Sequence, residues 1–385
     1  MTRKADRSQD RQAAPHESGR NSARFASFVV GAVLAFAICA AVGWKASSSN
    51  IFRDFGRFHT RLSPESFFQP TAREVMALAR ELLDKNKVNV VIGGSSVFYG
   101  VGQPEGQTIA DNLRRDLGEN YRVINLAMRG GDVSGIAEQT VEMLLREQYR
   151  VVYVSDIAVG GTVTLLGSTP YQYYFWDARA RNMLIDWPAR DQRLTLPWYA
   201  EQRMSAMLNK YLYFMDLWNT IGYDYVFTVY STLIPGHFWQ ARKDLPDNEI
   251  DPPEQFRYRN GELELQLIKR ISEMPTEPEW TLVGTALETA LPDVVRKSAV
   301  LAVCENSPWL LEQAAPETQA IRKAMRERMV KRVMEVGPSS LLACEGFEKD
   351  DYIDRVHLSV SGAAKIAPRL ADRVRATSRN NGWVQ

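Results

Sequence analysis

Three short apolar runs, VNVVIGG (88–94), YRVINLAM (121–128) and RVVYVSD (150–156), each precede or follow a segment with helical spacing. That alternation constrains the fold more than any other feature of this chain. A strand that is apolar at nearly every position has no face left for water. It must be covered on both sides, as parallel strands are inside βαβ units. The pattern therefore predicts an α/β fold: three layers, α/β/α, around a central parallel sheet.

The helices between the strands are legible from their caps and spacing. Residues 71–86 place Val75, Leu78, Leu82 and Leu83 on one face, with Thr71 as N-cap. Helices are expected over 105–118 and over 132–147, the latter capped by Asp132. After Ile157 the rhythm stops. Residues 160–275 are rich in aromatics, as in YQYYFW (171–176) and YLYFMDLW (211–218), and read as an insertion or cap. Within it, FRYRNGELELQL (256–267) carries Asn260-Gly261 between alternating apolar residues, a hairpin signal. The rhythm then resumes. A helix over 281–297 is interrupted by Pro292, and SAVLAVCEN (298–306) is a fourth strand. The helix over 317–336 carries Ile321, Met325, Met329, Val333 and Val336 on one face and ends at Gly337-Pro338. SLLACEGF (340–347) is a fifth strand, and the last helix, 359–376, is expected to break or kink near Pro368.

The start of the chain is of another kind. Residues 1–24 are polar and read as a disordered tail. Phe25–Trp44 then runs for twenty residues without a charge, roughly 30 Å as a helix, the thickness of a bilayer core. Trp44 and Lys45 sit where an interfacial anchor belongs. A buried soluble helix and a cleaved signal peptide, with Ala37, Ala40 and Ala41 near its end, are the alternatives. Cys39 follows Ile38, too bulky for a lipidation site. Six basic residues against three acidic ones precede the run, which predicts a cytoplasmic N-terminus and a periplasmic or extracellular remainder. The basic residues Lys45, Arg53, Arg57 and Arg61 behind it pull the other way. The expected organisation is a tail (1–24), a single span (25–44) in the inner or plasma membrane, a linker and helix (45–87), an α/β domain (88–376) with its insertion at about 160–275, and a tail (377–385).

A net charge of +1, with no basic stripe, argues against nucleic acid as a partner. With four histidines and no cysteine cluster, the sequence offers no metal site, and no cofactor is expected. GGSSVFYG has neither the lysine of a phosphate loop nor the spacing of a dinucleotide loop. His16, His59 and His237 have no partner motif. Cys304 and Cys344 each follow an apolar run. They are either one disulfide in an oxidising compartment or two buried thiols.

Chemistry concentrates at strand ends. VVIGGSSVFYG (90–100) finishes a strand and at once presents Ser95 and Ser96 between glycines. NLAMRGG (125–131) follows the second strand, and its glycines precede a helix, where backbone N–H groups can hold a negative oxygen. DRVHLSVSG (354–362) places a carboxylate three residues before a histidine, a spacing that lets Asp354 steady one ring nitrogen and leave the other free. In a parallel sheet all three would meet at one edge.

Taken in order, GSSVFYG (94–100), NLAMRGG (125–131) and DRVHLSVSG (354–362) resemble the sequence blocks of the SGNH/GDSL hydrolases, over roughly 88–156 and 298–376. The resemblance implies Ser96 as nucleophile, with Ser95 in place of the usual aspartate, or Ser95 itself if the register slips by one. It implies His357 as general base, Asp354 as its orienting carboxylate, and the N–H groups of Ser96 and Gly130 as an oxyanion hole. The family's third donor is an asparagine after strand three. Here the chain reads Tyr153-Val-Ser155-Asp156, so Ser155 is the substitute on offer. One lost donor costs about 10²–10³ in rate, which points to a slow, specialised or acyl-transferring enzyme.

The expected function is a membrane-anchored extracytoplasmic serine esterase or O-acyltransferase. It would act on acyl groups, acetyl first among them, of an envelope or exported polysaccharide, with the aromatic insertion as a sugar-stacking wall. The alternatives are a lipase or thioesterase on lipid substrates, and a catalytically weakened scaffold that binds partners in envelope assembly.

Overall fold

Among the described residues five parallel strands form the sheet: β1 (Val88–Ile92), β2 (Tyr121–Asn125), β3 (Arg150–Ala158), β4 (Ala299–Cys304) and β5 (Ser339–Leu342). Their order is β2-β1-β3-β4-β5. The computed structural model describes residues 17–48, 70–104, 106–128, 131, 133–158, 169–183, 200–221, 291–304, 307, 308, 312 and 315–384. Registers pair Ile92 with Asn125 on one side and with Val154 on the other, so the carboxyl ends of β1, β2 and β3 lie side by side. The chain goes from β1 outward to β2 and returns past β1 to β3. In an open parallel sheet the ends flanking such a reversal splay apart and leave a cleft.

Both faces of the sheet are covered, which explains the unbroken apolar strands. On one face Val91, Val151, Tyr153, Leu301 and Val303 pack with α2 (Ala72–Leu82), α5 (Ile136–Arg146), α6 (Thr169–Ala180), the short α9 (Asp293–Arg296) and α10 (Pro316–Glu335). On the other, Val90, Ile92, Val152, Val154, Val300 and Ala302 pack with α3 (Ser96–Tyr99), α4 (Ile109–Leu117) and α11 (Val360–Asn380). Strand residues alternate between these two cores, as the two-residue period of a strand requires.

The remaining helices among the described residues are α1 (Glu17–Ala46), α7 (Ala200–Leu212) and α8 (Phe214–Ile221). In α1, the segment Ser22–Ala46 is long and apolar enough to cross a membrane. The helix starts at Glu17, two turns before the apolar run, so part of the expected disordered tail is helical. Once nucleated, a helix extends at little cost through residues such as Ala23 and Arg24.

Several expectations shift. Thr71 caps α2 with a full capping box to Glu74, but the helix ends at Leu82, not at 86. The helix after β2 begins at Ile136, with Gly135 at the N-cap position, rather than at Asp132. Pro368 lies inside an uninterrupted α11. Its missing N–H would have bonded the carbonyl of Ala364, and both residues face solvent. Water can take that carbonyl, while Ile366, Ala367, Leu370 and Ala371 hold the inner face in the core. Beyond α11, Trp383 and Val384 pack against the core where a tail was expected. Among the described residues the aromatic region contributes α6, α7 and α8, and the expected hairpin at 256–267 lies outside the described residues.

Candidate active site

The turn after β1 is fixed by what surrounds it. Gly94 has φ of 97°, and a Cβ there would lie 2.0 Å from Asp156 Oδ1. Only glycine fits, both for its left-handed backbone and for the space. The Gly94 carbonyl accepts the N–H of Met128 at 3.1 Å, which ties the turn to the loop after β2. Ser95 then caps α3: its Oγ accepts the Val97 N–H at 3.2 Å. Ser96 is the first residue of that helix, so its own N–H lies in the first turn and has no carbonyl acceptor within the helix.

Ser95 is held by Asp156 at the end of β3. Its N–H donates to Oδ1 at 2.7 Å and its hydroxyl to Oδ2 at 2.5 Å. Ser95 is thereby engaged, and the hydroxyl beside it, that of Ser96, faces the histidine. His357 Nε2 lies 2.8 Å from Ser96 Oγ, across 261 residues of sequence. His357 Nδ1 lies 2.7 Å from Asp354 Oδ2. The other oxygen, Oδ1, accepts the backbone N–H groups of Val356 and His357, each at 2.8 Å. This Asx-type turn points the carboxylate back along its own chain. The loop is closed by Ile353 N–H donating to the His357 carbonyl at 2.9 Å and by an antiparallel bridge between Tyr352 and Leu358.

Burial alone would raise the pKa of Asp354. The hydrogen bond and charge of His357, with the two backbone N–H groups, outweigh it and hold the carboxyl below its ordinary value. Asp354 is therefore an anion at neutral pH. An anion on Nδ1–H fixes the tautomer in which Nε2 is the proton acceptor. The side chains of both residues are 15% exposed, which leaves the pair accessible at the sheet edge.

Two further residues join these blocks. Gln103, fully buried, donates through Nε2 to the Leu358 carbonyl at 3.0 Å and accepts the Ile109 N–H on Oε1 at 3.2 Å. It thus couples the loop behind Ser96 to the residue after His357. Asn125, ending β2, donates to the Phe98 carbonyl at 3.1 Å and accepts the Ala127 N–H at 3.0 Å. Sequence reasoning gives no role to Gln103, Asn125 or Asp156. For Asp156 a signal was available: an acid at the carboxyl end of the strand next to a serine turn.

Of the residues expected at the site, Ser96, His357 and Asp354 form one hydrogen-bonded series. Gly130 lies outside the described residues, although neighbouring Gly131 packs so closely that a Cβ would come within 2.5 Å of the Gly94 carbonyl. Ser155 is fully buried, and its hydroxyl donates at 3.2 Å to the Asp156 carbonyl. Cys304 and Cys344 are free thiols whose sulfurs lie 2.9 Å apart. Among the described residues no group of three or more metal-ligating side chains occurs.

Neither a family model nor a curated protein matches the chain. Solved structures similar to it include the following two. Est24, a carbohydrate acetylesterase from Sinorhizobium meliloti, is 12% identical, and the match covers 75% of this chain and 99% of Est24 at a TM-score of 0.29. A second crystal structure is 12% identical, with coverage of 75% and 98% at a TM-score of 0.32. Similarity at these TM-scores carries no weight for function.

Proposed function

We propose that the chain is a membrane-anchored serine esterase or O-acyltransferase of the SGNH/GDSL type, working outside the cytoplasm on acyl groups, acetyl in particular, of an envelope or exported polysaccharide. One observation carries the chemical part of this reading: the unbroken hydrogen-bond chain Ser96–His357–Asp354, at 2.8 and 2.7 Å. The SGNH assignment rests on the order of the three sequence blocks. The location rests on a helix long and apolar enough to span a membrane.

In this reading His357 Nε2 takes the proton of Ser96 as its oxygen attacks the ester carbonyl. The charge that develops on the carbonyl oxygen is met by the N–H of Ser96 and that of Gly130, and the imidazolium by Asp354. Protonation of the leaving alcohol by His357 completes an acyl-serine. Water or a sugar hydroxyl, deprotonated by the same imidazole, then takes the acyl group and restores the serine.

A fluorophosphonate probe tests it directly. Covalent labelling at Ser96 in the wild-type chain, lost in Ser96→Ala and His357→Ala together with p-nitrophenyl acetate cleavage, is the expected result. A folded wild-type chain that takes no label would instead favour the scaffold reading, for which the burial of Ser155 speaks.

A further inference from the structure

Helix α7 has two faces that differ in kind. Asn209 and Ala206 are fully buried against the rest of the fold. On the outside, Met204, Met207, Leu208 and Tyr211 follow the i, i+3, i+4, i+7 spacing of one helical face, and they are 62%, 55%, 50% and 70% exposed. The stripe continues into α8 with Phe214 and Trp218, four residues apart, Trp218 being 51% exposed. Scattered apolar residues on a surface mean little, but four large ones on one helix face, with two more exposed on the next helix, mark an interaction surface.

The position of this row says what it meets. The C-terminal end of α1 packs on α7 and α8: a Cβ at Gly43 would lie 2.3 Å from the carbonyl oxygen of Tyr213, the residue joining those two helices. The outward stripe therefore begins beside the point where the apolar helix reaches the folded domain. Its chemistry suits the boundary of a bilayer. Tyr211 and Trp218 are the aromatics enriched at that boundary. Arg203 and Lys210 lie along one edge of the row, the Arg203 guanidinium 5.1 Å from the centre of the Trp176 ring and the Lys210 ammonium 5.3 Å from that of Tyr211. Asp216, the acid of α8, points inward and is fully buried. An apolar face edged by cations is the signature of a helix lying in a membrane surface.

We propose that α7 and α8 form a membrane-lying ridge that seats the domain in the leaflet from which α1 emerges. This rests on α1 crossing the membrane, and the experiment separates the two. The full chain, with its native cysteines replaced by alanine, is reconstituted in phosphatidylcholine–phosphatidylglycerol vesicles. An environment-sensitive fluorophore is placed in turn at Met207→Cys on the ridge, at Leu34→Cys in α1, and at Glu119→Cys in the exposed turn between α4 and β2. Lipids carrying a nitroxide near the headgroup end of their chains serve as quenchers. The expected result is at least about twofold quenching at position 207, with little at 119. Leu208→Cys repeats the ridge measurement should the first labelled variant misfold. Strong quenching at position 34, by lipids labelled deeper in the chain, with none at 207 and 208 would overturn the ridge and keep the anchor. A blue-shifted but unquenched label at 207 would also overturn it, because protein rather than lipid would then cover the row. No quenching at 34 removes the anchor and the ridge with it.

Discussion

At Ser95 the chain has a hydroxyl where the sequence blocks it resembles have a carboxylate, and Asp156 shows why that is compatible with an ordered turn. The carboxylate that organises the turn comes from the neighbouring strand and binds both the N–H and the hydroxyl of Ser95. Ser95→Asp should therefore place two carboxylates against each other and destabilise the fold by about 1–3 kcal/mol. Adding Asp156→Asn should restore most of that loss, which thermal melts of the four proteins of the cycle would measure. A simple sum of the two single effects would disprove the exchange. At the other end of the hydrogen-bond chain, Asp354→Asn keeps the shape but offers His357 the wrong partner for Nδ1–H. The proposed ester cleavage should fall by about 10²–10⁴ in kcat with little change in KM.

At the scale of elements, the helices on one face of the sheet are joined by buried polar side chains. Glu74 Oε2 accepts the Thr71 N–H at 2.9 Å and Asn219 Nδ2 at 2.8 Å, joining α2 to α8. Asp216 accepts from Thr71 Oγ1 at 2.7 Å and Asn209 Nδ2 at 3.0 Å. Asp177 accepts the Ala72 N–H at 2.9 Å, and Arg181 bridges Asp177 and Asp216 at 3.0 and 3.4 Å. Two carboxyls thus share one guanidinium. Burial first, then the charges of Asp177 and Asp216, disfavour ionisation of the Tyr173 hydroxyl. Burial, then the charge of Asp216, pushes Glu74 well above its ordinary value. Burial, then Asp177, pushes Asp216 to about 6. A carboxyl that binds its proton more tightly when folded stabilises the fold at low pH, and that contribution is lost as pH rises through the folded value. For Asp216 the loss runs from the ordinary aspartate value of 3.8 to about 6. For Glu74 it begins at 4.5 and extends upward. Glu74→Gln keeps the acceptor and removes the charge. It should raise Tm at neutral pH by about 2–4 °C, what about 1 kcal/mol moves in a domain of this size, and have little effect at pH 4. An equal shift at both pH values would count against a titrating Glu74.

The Cys304–Cys344 pair belongs to the same scale, since it links the end of β4 to the turn after β5. Its sulfurs are in contact and 40 residues apart in sequence. In an oxidising compartment they should close into a disulfide, which intact mass before and after reduction would detect as two hydrogens. Closing a loop of that length stabilises by about 4 kcal/mol at most in the chain-entropy account. A pair that stays reduced in the purified protein under oxidising conditions would show that the 2.9 Å approach does not permit a bond.

Over the whole molecule, the legible parts share a physical cause. Strands buried on both faces must be apolar throughout, so β1 to β4 stand out in the sequence. Turns and caps are local, so Gly94, Thr71 and the Asp354–His357 spacing do too. The aromatic region hid its helices because α6 is buried all round: Tyr173, Tyr174, Phe175, Trp176, Asp177 and Ala178 are all inside, which erases any amphipathic period. The polar network and Asp156 were invisible for another reason. The bonds that tie separate elements together span 61 residues for Ser95–Asp156 and 145 for Thr71–Asp216, and no local rule connects them.

The junction between α1 and the domain is a backbone contact, and that sets how it answers to substitution. A Cβ at Gly31 would meet nothing within 4 Å, whereas one at Gly43 would meet the backbone of Tyr213 at 2.3 Å. Backbone cannot rotate away as a side-chain tip can, so Gly43→Val must push α1 off the α7–α8 pair. Gly31→Val adds a methyl-bearing side chain on an exposed stretch of helix and should change nothing. In vesicles, hydrogen exchange across residues 205–221 should quicken several-fold in Gly43→Val and stay at the wild-type rate in Gly31→Val. Labelling of Ser96 should be the same in both, because the polar network holds the α6–α8 layer to the sheet independently of α1. Faster exchange in neither variant would mean that the helix end and the domain are joined only by the chain. Loss of Ser96 labelling in Gly43→Val would mean that the seat of α1 is part of what shapes the site.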